Sequence, residues 1–121
     1  MWQGRMFGIV GPRGVGKTTM MLQYAKTNLN IDKTLYISAD QIYFSHHSLL
    51  EVADRFSKMG GLHLLIDEIH HYPNWSIELK EIFETYSDLQ IIFSGSSILD
   101  ICKGAADLSR RAPIYEIQGL S

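Results

Sequence analysis

A glycine-rich octapeptide near the amino end constrains the fold of this chain more than any other feature. Residues 11–18 read GPRGVGKT and fit the spacing G-x-x-x-x-G-K-[ST]. Glycines such as Gly11 and Gly16 let the backbone curl so that successive N–H groups turn inward toward an anion. In this pattern Lys17 brings a positive charge to the terminal phosphates, and Thr18 offers a hydroxyl to a magnesium ion. The octapeptide therefore predicts binding of a nucleoside triphosphate and Mg²⁺.

The residues on either side favour this interpretation over a merely structural turn. An apolar run at 6–10 precedes the octapeptide, as expected for a buried parallel strand. Met21, Leu22, Ala25 and Leu29 then recur at helical spacing and predict a helix over 18–29, whose positive dipole end faces the same anion. Strand, loop and helix follow in the order that the motif requires. The predicted nucleotide contacts are Gly11, Pro12, Arg13, Gly14, Val15, Gly16, Lys17, Thr18 and Thr19.

Length and composition predict a single compact domain over 1–121, with a cytoplasmic location as the default. The 11 basic and 13 acidic residues give a net charge of −2. A domain that binds nucleic acid by itself is typically rich in basic residues, and this chain is not. One cysteine, Cys102, excludes an internal disulfide and suits a reducing compartment. No apolar run approaches the length that spans a membrane. Because the predicted strands reach almost to both ends, we expect a core that belongs to a longer protein with further domains.

Apolar runs and helical patterns alternate along the chain, which is typical of a parallel sheet flanked by helices. With the octapeptide, this predicts the three-layer sandwich of P-loop NTPases, with about five parallel strands in the order 5-1-4-3-2. The predicted strands cover 5–10, 34–38, 62–66, 90–94 and 113–118. The predicted helices cover 18–29, 48–59, 74–86 and 97–103, with Ser48 and Glu51 as a capping box and Gly60-Gly61 as a stop.

An acidic pair at the end of the third predicted strand is the second strong feature. The strand reads LHLLI and is followed directly by Asp67 and Glu68. Since ligands lie beyond the carboxyl ends of parallel strands, both carboxylates are expected beside the phosphate loop. There Asp67 would hold magnesium with Thr18, directly or through a water, and Glu68 would orient or deprotonate the attacking water. The alternative is a pair of solvated loop acids.

Two further groups are candidates for contacts with the terminal phosphate. Ser94 ends the fourth predicted strand and Ser96 lies two residues beyond it. One of them could hold the water or sense the phosphate, although serine and glycine are also common in turns. Arg110 and Arg111 precede the fifth strand and could stabilise transition-state charge, in cis or from a neighbouring copy, or form an exposed basic pair. Arg13 could instead face solvent or a partner.

The five histidines do not suggest a metal centre from their spacing. His46-His47 and His70-His71 are adjacent pairs, not pairs four residues apart on a helix. With one cysteine in the chain, the usual zinc-ligand spacings are missing. The sequence therefore argues against metal binding by histidine, while His70 and His71 remain candidates for a supporting role behind Glu68.

The motifs together resemble those of a group of AAA-type ATPases of bacteria and archaea. In this group the ATPase module normally precedes a domain of unknown function with a nuclease-like core. The group is close to the STAND-type NTPases. The similarity covers GPRGVGKTTM, LLIDEIHHYPNW, IIFSGSS and DLSRRAPIYEIQGLS. It implies that Lys17 and Thr18 bind phosphate and magnesium, Asp67 magnesium, and Glu68 the water. It also implies that Ser94 or Ser96 is a sensor and that Arg111 acts on a neighbouring copy. Many relatives have glycine in place of Arg110 and continue beyond the position of Ser121.

The resulting prediction is Mg²⁺-dependent binding and hydrolysis of ATP, coupled to movement of further domains. One alternative is a nucleotide-gated switch with little turnover, which needs the same loop. A small-molecule kinase is a weaker alternative, because no lid-like arginine-rich insertion is evident. The chain has no N-K-x-D motif for reading guanine, and the preference for adenine is itself implied by the resemblance. Contact with nucleic acid is expected only through further domains.

Overall fold

The computed structural model describes residues 5–11, 16–39, 47–96 and 113–116, and strands and helices alternate from Met6 to Gly95 within this part. The strands are β1 (Met6–Val10), β2 (Thr34–Ser38), β3 (His63–Asp67), β4 (Gln90–Gly95) and β5 (Ile114–Glu116). The α-helices of this part are α1 (Lys17–Asn28), α2 (Leu49–Lys58) and α3 (Trp75–Thr85). Single 3₁₀ turns, which the sequence did not predict, lie at Ile31–Lys33 and Ile69–His71.

The five strands form one parallel sheet in the order β2-β3-β4-β1-β5. This is the predicted order 5-1-4-3-2 read from the other edge, so the prediction is confirmed. Val10 at the end of β1 lies beside Gly95 at the end of β4, and Ser38 at the end of β2 lies beside Asp67 at the end of β3. The carboxyl ends of these strands therefore meet at one edge of the sheet.

Both faces of the sheet are buried, because successive side chains of each strand point to opposite sides. On one face α1 packs over Phe7, Ile9, Leu65 and Ile92 through buried Met21 and Ala25. On the other face α2 and α3 cover a larger cluster that includes Met6, Leu64, Ile66, Ile91 and Phe93. The structure thus has the three layers predicted for it. Leu22 is an exception to the predicted helix face: it is 43% exposed, since it follows Met21 by one residue and so turns away from the sheet.

Local capping signals explain why the helix boundaries agree with prediction to within about one residue. Ser48 Oγ accepts a hydrogen bond of 3.1 Å from the Glu51 N–H at the start of α2, as predicted. Gly60 ends this helix with φ of +88°, a conformation that favours glycine. Asn74 precedes α3 as predicted, but its φ is +58° and its side chain caps no described N–H group. The predicted helix 97–103 and residues 117–118 of the last strand lie outside the described residues.

Gly8 allows β1 to fit between its two neighbours. A Cβ atom built there would lie 2.4 Å from Cε2 of Phe93 and 2.9 Å from Cδ1 of Ile114. Phe93 is fully buried, so its ring has little room to move. We expect Gly8→Ala to lower the free energy of unfolding by about 1–3 kcal/mol, measured by urea denaturation. In a Phe93→Leu background the same change should cost less, and a Gly8→Ala protein as stable as wild type would contradict this packing.

Candidate functional site

The amino end of α1 lies at the edge of the sheet where the strands end. Gly11, just after β1, donates its N–H to the carbonyl of Gly95 at 3.2 Å. This hydrogen bond holds the residue that follows β1 against the end of β4. Gly16 has φ of +81°, the left-handed conformation that turns the chain into α1. The first N–H groups of a helix have no partner within it and carry the positive end of its dipole. This helix end therefore has the geometry and charge to hold an anion.

Lys17 points from the first turn of α1 toward the polar side chain that follows β4. The residue is buried, and its Nζ lies 3.5 Å from Ser96 Oγ. Thr19, in the same turn, is exposed. The remaining predicted loop contacts, Pro12, Arg13, Gly14 and Val15, lie outside the described residues, as do Cys102, Arg110 and Arg111.

Asp67 is the centre of a buried hydrogen-bond network that joins four elements. Its Oδ2 accepts hydrogen bonds from Thr18 Oγ1 at 2.5 Å and from Tyr36 OH at 2.7 Å. Its Oδ1 accepts a hydrogen bond from Ser94 Oγ and one of 3.1 Å from the Glu68 N–H. The structure thus brings Thr18 and Asp67 together as predicted, although one residue follows β1 and the other ends β3.

These donors determine the charge of Asp67. Burial alone raises the pKa of this carboxyl, but the hydrogen bonds from Ser94, Thr18 and Tyr36 outweigh it and hold the pKa below its usual value of 3.8. Asp67 is therefore a carboxylate at neutral pH. With the Thr18 hydroxyl it forms a pair of oxygen donors, the ligand type that Mg²⁺ prefers, so these residues fit the predicted magnesium site.

The lowered pKa of Asp67 predicts how acid affects stability. Because the folded pKa lies below the unfolded one, ionised Asp67 stabilises the fold at neutral pH, and this contribution is lost as pH falls through the lowered pKa. We expect Asp67→Asn to destabilise the protein at pH 7 and to do so less at a pH below 3.8, measured by urea denaturation. Asp88→Asn, at an exposed site, is the control. A destabilisation by Asp67→Asn that is equal at both pH values would contradict this assignment.

Glu68 adopts a left-handed backbone, with φ of 54° and ψ of 48°, which is uncommon for a residue with a side chain. Such strained residues cluster at functional sites, where their surroundings hold them. Its carboxylate lies within hydrogen-bond distance of Ser96 Oγ, at 2.7 Å to Oε1 and 3.0 Å to Oε2. Lys17, Ser96 and Glu68 therefore form a continuous polar chain beside the pair of Asp67 and Thr18.

Ser94, in β4, and Ser96, just after it, have different surroundings. Ser94 is fully buried, and its hydroxyl lies against Asp67 and 3.3 Å from the Glu68 N–H. Ser96 is partly exposed and lies between Lys17 and Glu68. The structure thus places both predicted residues at the site, Ser94 beneath it and Ser96 at its surface.

Tyr36 is a member of the site that sequence reasoning missed. It lies opposite Leu65 in the register of β2 and β3, and Asp67 lies two residues beyond Leu65. Because side chains alternate along a strand, Tyr36, Leu65 and Asp67 point to the same face of the sheet. The phenol therefore reaches the carboxylate from the neighbouring strand. The available signal in the sequence was a tyrosine two residues before the end of β2. Only the pairing register of β2 and β3 shows that this tyrosine can reach Asp67.

Two histidines complete the surroundings of Glu68. His70 Nε2 lies 3.4 Å and His71 Nε2 3.7 Å from Glu68 Oε2, and the two rings are 4.4 Å apart between centroids. Both belong to the 3₁₀ turn Ile69–His71, which follows Glu68 directly. The supporting position behind Glu68 that the sequence suggested for them is therefore where they lie.

Among the described helices, none has the length and apolar character to cross a membrane.

The chain resembles known proteins both in sequence and in fold. Over 120 residues the chain is 33% identical to the uncharacterized protein MJ1637 of Methanocaldococcus jannaschii, which covers 88% of this chain and 25% of that protein. The fold is similar to that of the Walker-type ATPase PABY2304 of Pyrococcus abyssi, with a TM-score of 0.67 and 13% identity, covering 98% of this chain and 50% of the other.

The chain thus spans about a quarter of the length of its curated relative and half that of the solved structure. A family assignment comes from the sequence itself, because the profile of the AAA domain family matches residues 3–121. That match spans the octapeptide, the acidic pair and both serines. The chain belongs to the AAA domain family and has the α/β fold of the P-loop NTPases.

Proposed function

We propose that this chain binds and hydrolyses ATP in a Mg²⁺-dependent way and passes its nucleotide state to further domains of a longer protein. The observation that carries the proposal is the meeting of two polar groups at one edge of the sheet. One is the pair of Thr18 and Asp67, and the other is the chain of Lys17, Ser96 and Glu68. A cation, a metal-binding pair and a base are the parts that phosphoryl transfer to water requires.

In this proposal the triphosphate lies across the amino end of α1. N–H groups of the first turn and the loop donate to phosphate oxygens, and Lys17 balances the charge at the terminal phosphate. Thr18 and Asp67 would hold Mg²⁺, which supplies electrostatic stabilisation of the charge on the phosphate oxygens when bound. The hydroxyl of Tyr36 and that of Ser94 keep Asp67 ionised and oriented.

Glu68 is the proposed base. It can accept a proton from the attacking water, because its side chain is 15% exposed and its carboxylate contacts Ser96, which in turn contacts Lys17. Ser96 orients that carboxylate and, through its contact with Lys17, is placed to respond to an occupied phosphate site. We therefore favour Ser96 over Ser94 as the sensor and assign Ser94 to positioning Asp67. Arg111 remains the arginine that we propose stabilises transition-state charge in the site of a neighbouring copy. The proposed location of the protein is the cytoplasm.

A nucleotide-gated switch with little turnover is a second candidate, favoured by the surroundings of Glu68. Ser96 and both imidazoles contact its Oε2, so a base with these partners must exchange one of them for water. If that exchange is rare, the bound nucleotide is hydrolysed only slowly. Whether nucleotide is bound would then determine which contacts the chain makes with a partner. Movement of further domains is compatible with either candidate.

Calorimetric titration of the full chain with Mg²⁺-ATP, followed by a steady-state phosphate-release assay, tests the proposal. We expect saturable binding of ATP and slow release of phosphate, with weaker binding of GTP. Binding without release would support the switch and overturn hydrolysis. If correctly folded protein took up no purine triphosphate in the presence of Mg²⁺, both candidates would be wrong.

A further inference from the structure

Glu68, His70 and His71 bring three potential metal-ligand atoms together, with all pairs within 4.8 Å. We propose that these residues bind a divalent transition-metal ion, for which Zn²⁺ fits best, at a site separate from that of Thr18 and Asp67. We further propose that the bound ion inhibits ATP hydrolysis by occupying the carboxylate of Glu68, and this second step rests on the function proposed above. The two steps are tested separately below.

The distances within the cluster are close to those that zinc requires. Bonds of roughly 2.0–2.2 Å in a tetrahedral arrangement separate neighbouring ligand atoms by about 3.4 Å. Glu68 Oε2 already lies 3.4 Å from His70 Nε2 and 3.7 Å from His71 Nε2. The three atoms thus need only small side-chain movements to share an ion.

The donor set distinguishes this cluster from the predicted magnesium site. Two imidazoles and a carboxylate, with a fourth position left for water, are a donor set that zinc uses in enzymes. Mg²⁺ prefers oxygen ligands and gives up its waters reluctantly, so it has little preference for imidazole nitrogen. Thr18 and Asp67 offer oxygen alone. Mg²⁺ and Zn²⁺ are therefore expected to divide between the two sites.

The backbone holds the cluster in place and leaves it open on one side. The 3₁₀ turn that carries the imidazoles closes with hydrogen bonds from His71 N–H to the Glu68 carbonyl at 3.1 Å and from Tyr72 N–H to the Ile69 carbonyl at 3.0 Å. Ile69 is fully buried and anchors the turn. The side chains of Glu68 and His70 are 15% and 11% exposed, whereas that of His71 is 40% exposed. An ion can thus enter past His71.

The inhibition follows because both imidazoles lie near Oε2 of Glu68, an oxygen of the proposed base. Glu68 Oε2 also lies 3.0 Å from Ser96 Oγ, which links the carboxylate to Lys17. A cation on Oε2 would withdraw negative charge from the carboxylate and weaken it as a proton acceptor. Zn²⁺ would therefore hold the proposed base in an inactive form.

The metal site is tested by titrating the nucleotide-free full chain with ZnCl₂, using calorimetry or competition with a zinc indicator. His71→Ala should fold, since this side chain is the most exposed of the three, and His70→Gln provides a second ligand change. We expect each to weaken binding at this site by at least about tenfold. His63→Gln is the matched control, because His63 starts β3, at the strand end opposite Glu68, and should leave binding unchanged. Equal Zn²⁺ binding by wild type, His71→Ala and His70→Gln would overturn the site.

The inhibition is tested by phosphate release at saturating Mg²⁺-ATP with increasing ZnCl₂, each protein being compared with its own rate without zinc. Wild type should be inhibited at a Zn²⁺ concentration at least about tenfold lower than His71→Ala requires. Equal inhibition of both would overturn the inhibitory role. If wild type released no phosphate even without zinc, the proposed hydrolysis would be wrong, whereas the metal site would still be decided by the titration.

Discussion

Lys17→Ala is expected to weaken binding of Mg²⁺-ATP by roughly 100-fold, about 2.7 kcal/mol, because it removes the cation that faces the terminal phosphate. Lys17 is buried beside Ser96, so its charge is held at this position. Calorimetric titration measures the affinity directly and does not depend on turnover. The comparison should be made at fixed ionic strength, since charge-dependent binding is screened by salt.

Lys26→Ala is the matched control for this prediction. Lys26 lies in the last turn of the same helix and is exposed, so its removal changes the net charge equally without touching the site. We expect its affinity for Mg²⁺-ATP to stay close to that of wild type. A Lys17→Ala protein that binds as tightly as Lys26→Ala would refute the role of Lys17.

Glu68→Gln is expected to lower the rate of phosphate release by roughly 10²–10⁴-fold while binding of Mg²⁺-ATP is kept. Glutamine has nearly the same shape and can still accept a hydrogen bond from Ser96, but it cannot take a proton from water. The change therefore separates chemistry from positioning. Steady-state phosphate release and calorimetric affinity, measured on the same preparation, provide the two readouts.

Glu81→Gln on the exposed face of α3 is the control for loss of one negative charge. It should leave both release and affinity unchanged. If Glu68→Gln hydrolysed ATP as fast as wild type, Glu68 would not be the base, although the phosphate site would stand. Loss of affinity in Glu68→Gln would instead point to a structural role for this carboxylate.

Much of the fold was predictable because its signals are local. Ser48 caps α2 through an N–H three residues away, and Gly60 ends the helix through its own φ angle. The order of the sheet was predictable for a related reason, since the octapeptide limits the possible folds to one family of parallel sheets. Leu22 shows the limit of such patterns, because helical spacing alone did not decide which neighbouring residue faces the sheet.

Parts of the site were not predictable, because they depend on register and backbone conformation. Tyr36 reaches Asp67 only because β2 pairs with β3 in one particular register. Glu68 meets the imidazoles of His70 and His71 because its left-handed backbone leads directly into a 3₁₀ turn. The sequence argument against a histidine metal site compared histidine spacings and left out the glutamate, which offers the third potential ligand atom.

The amino-acid sequence by itself determined the order of elements, the phosphate-binding motif and the identity of the two carboxylates, since each depends on residues that are close along the chain. Tertiary structure alone decided what surrounds those carboxylates. Thr18 and Asp67 are 49 residues apart, and Ser96 and Glu68 are 28 apart, so their hydrogen bonds form only when strand pairing brings the strand ends to one edge. The lowered pKa of Asp67 has the same origin, because its three hydroxyl donors come from three different elements.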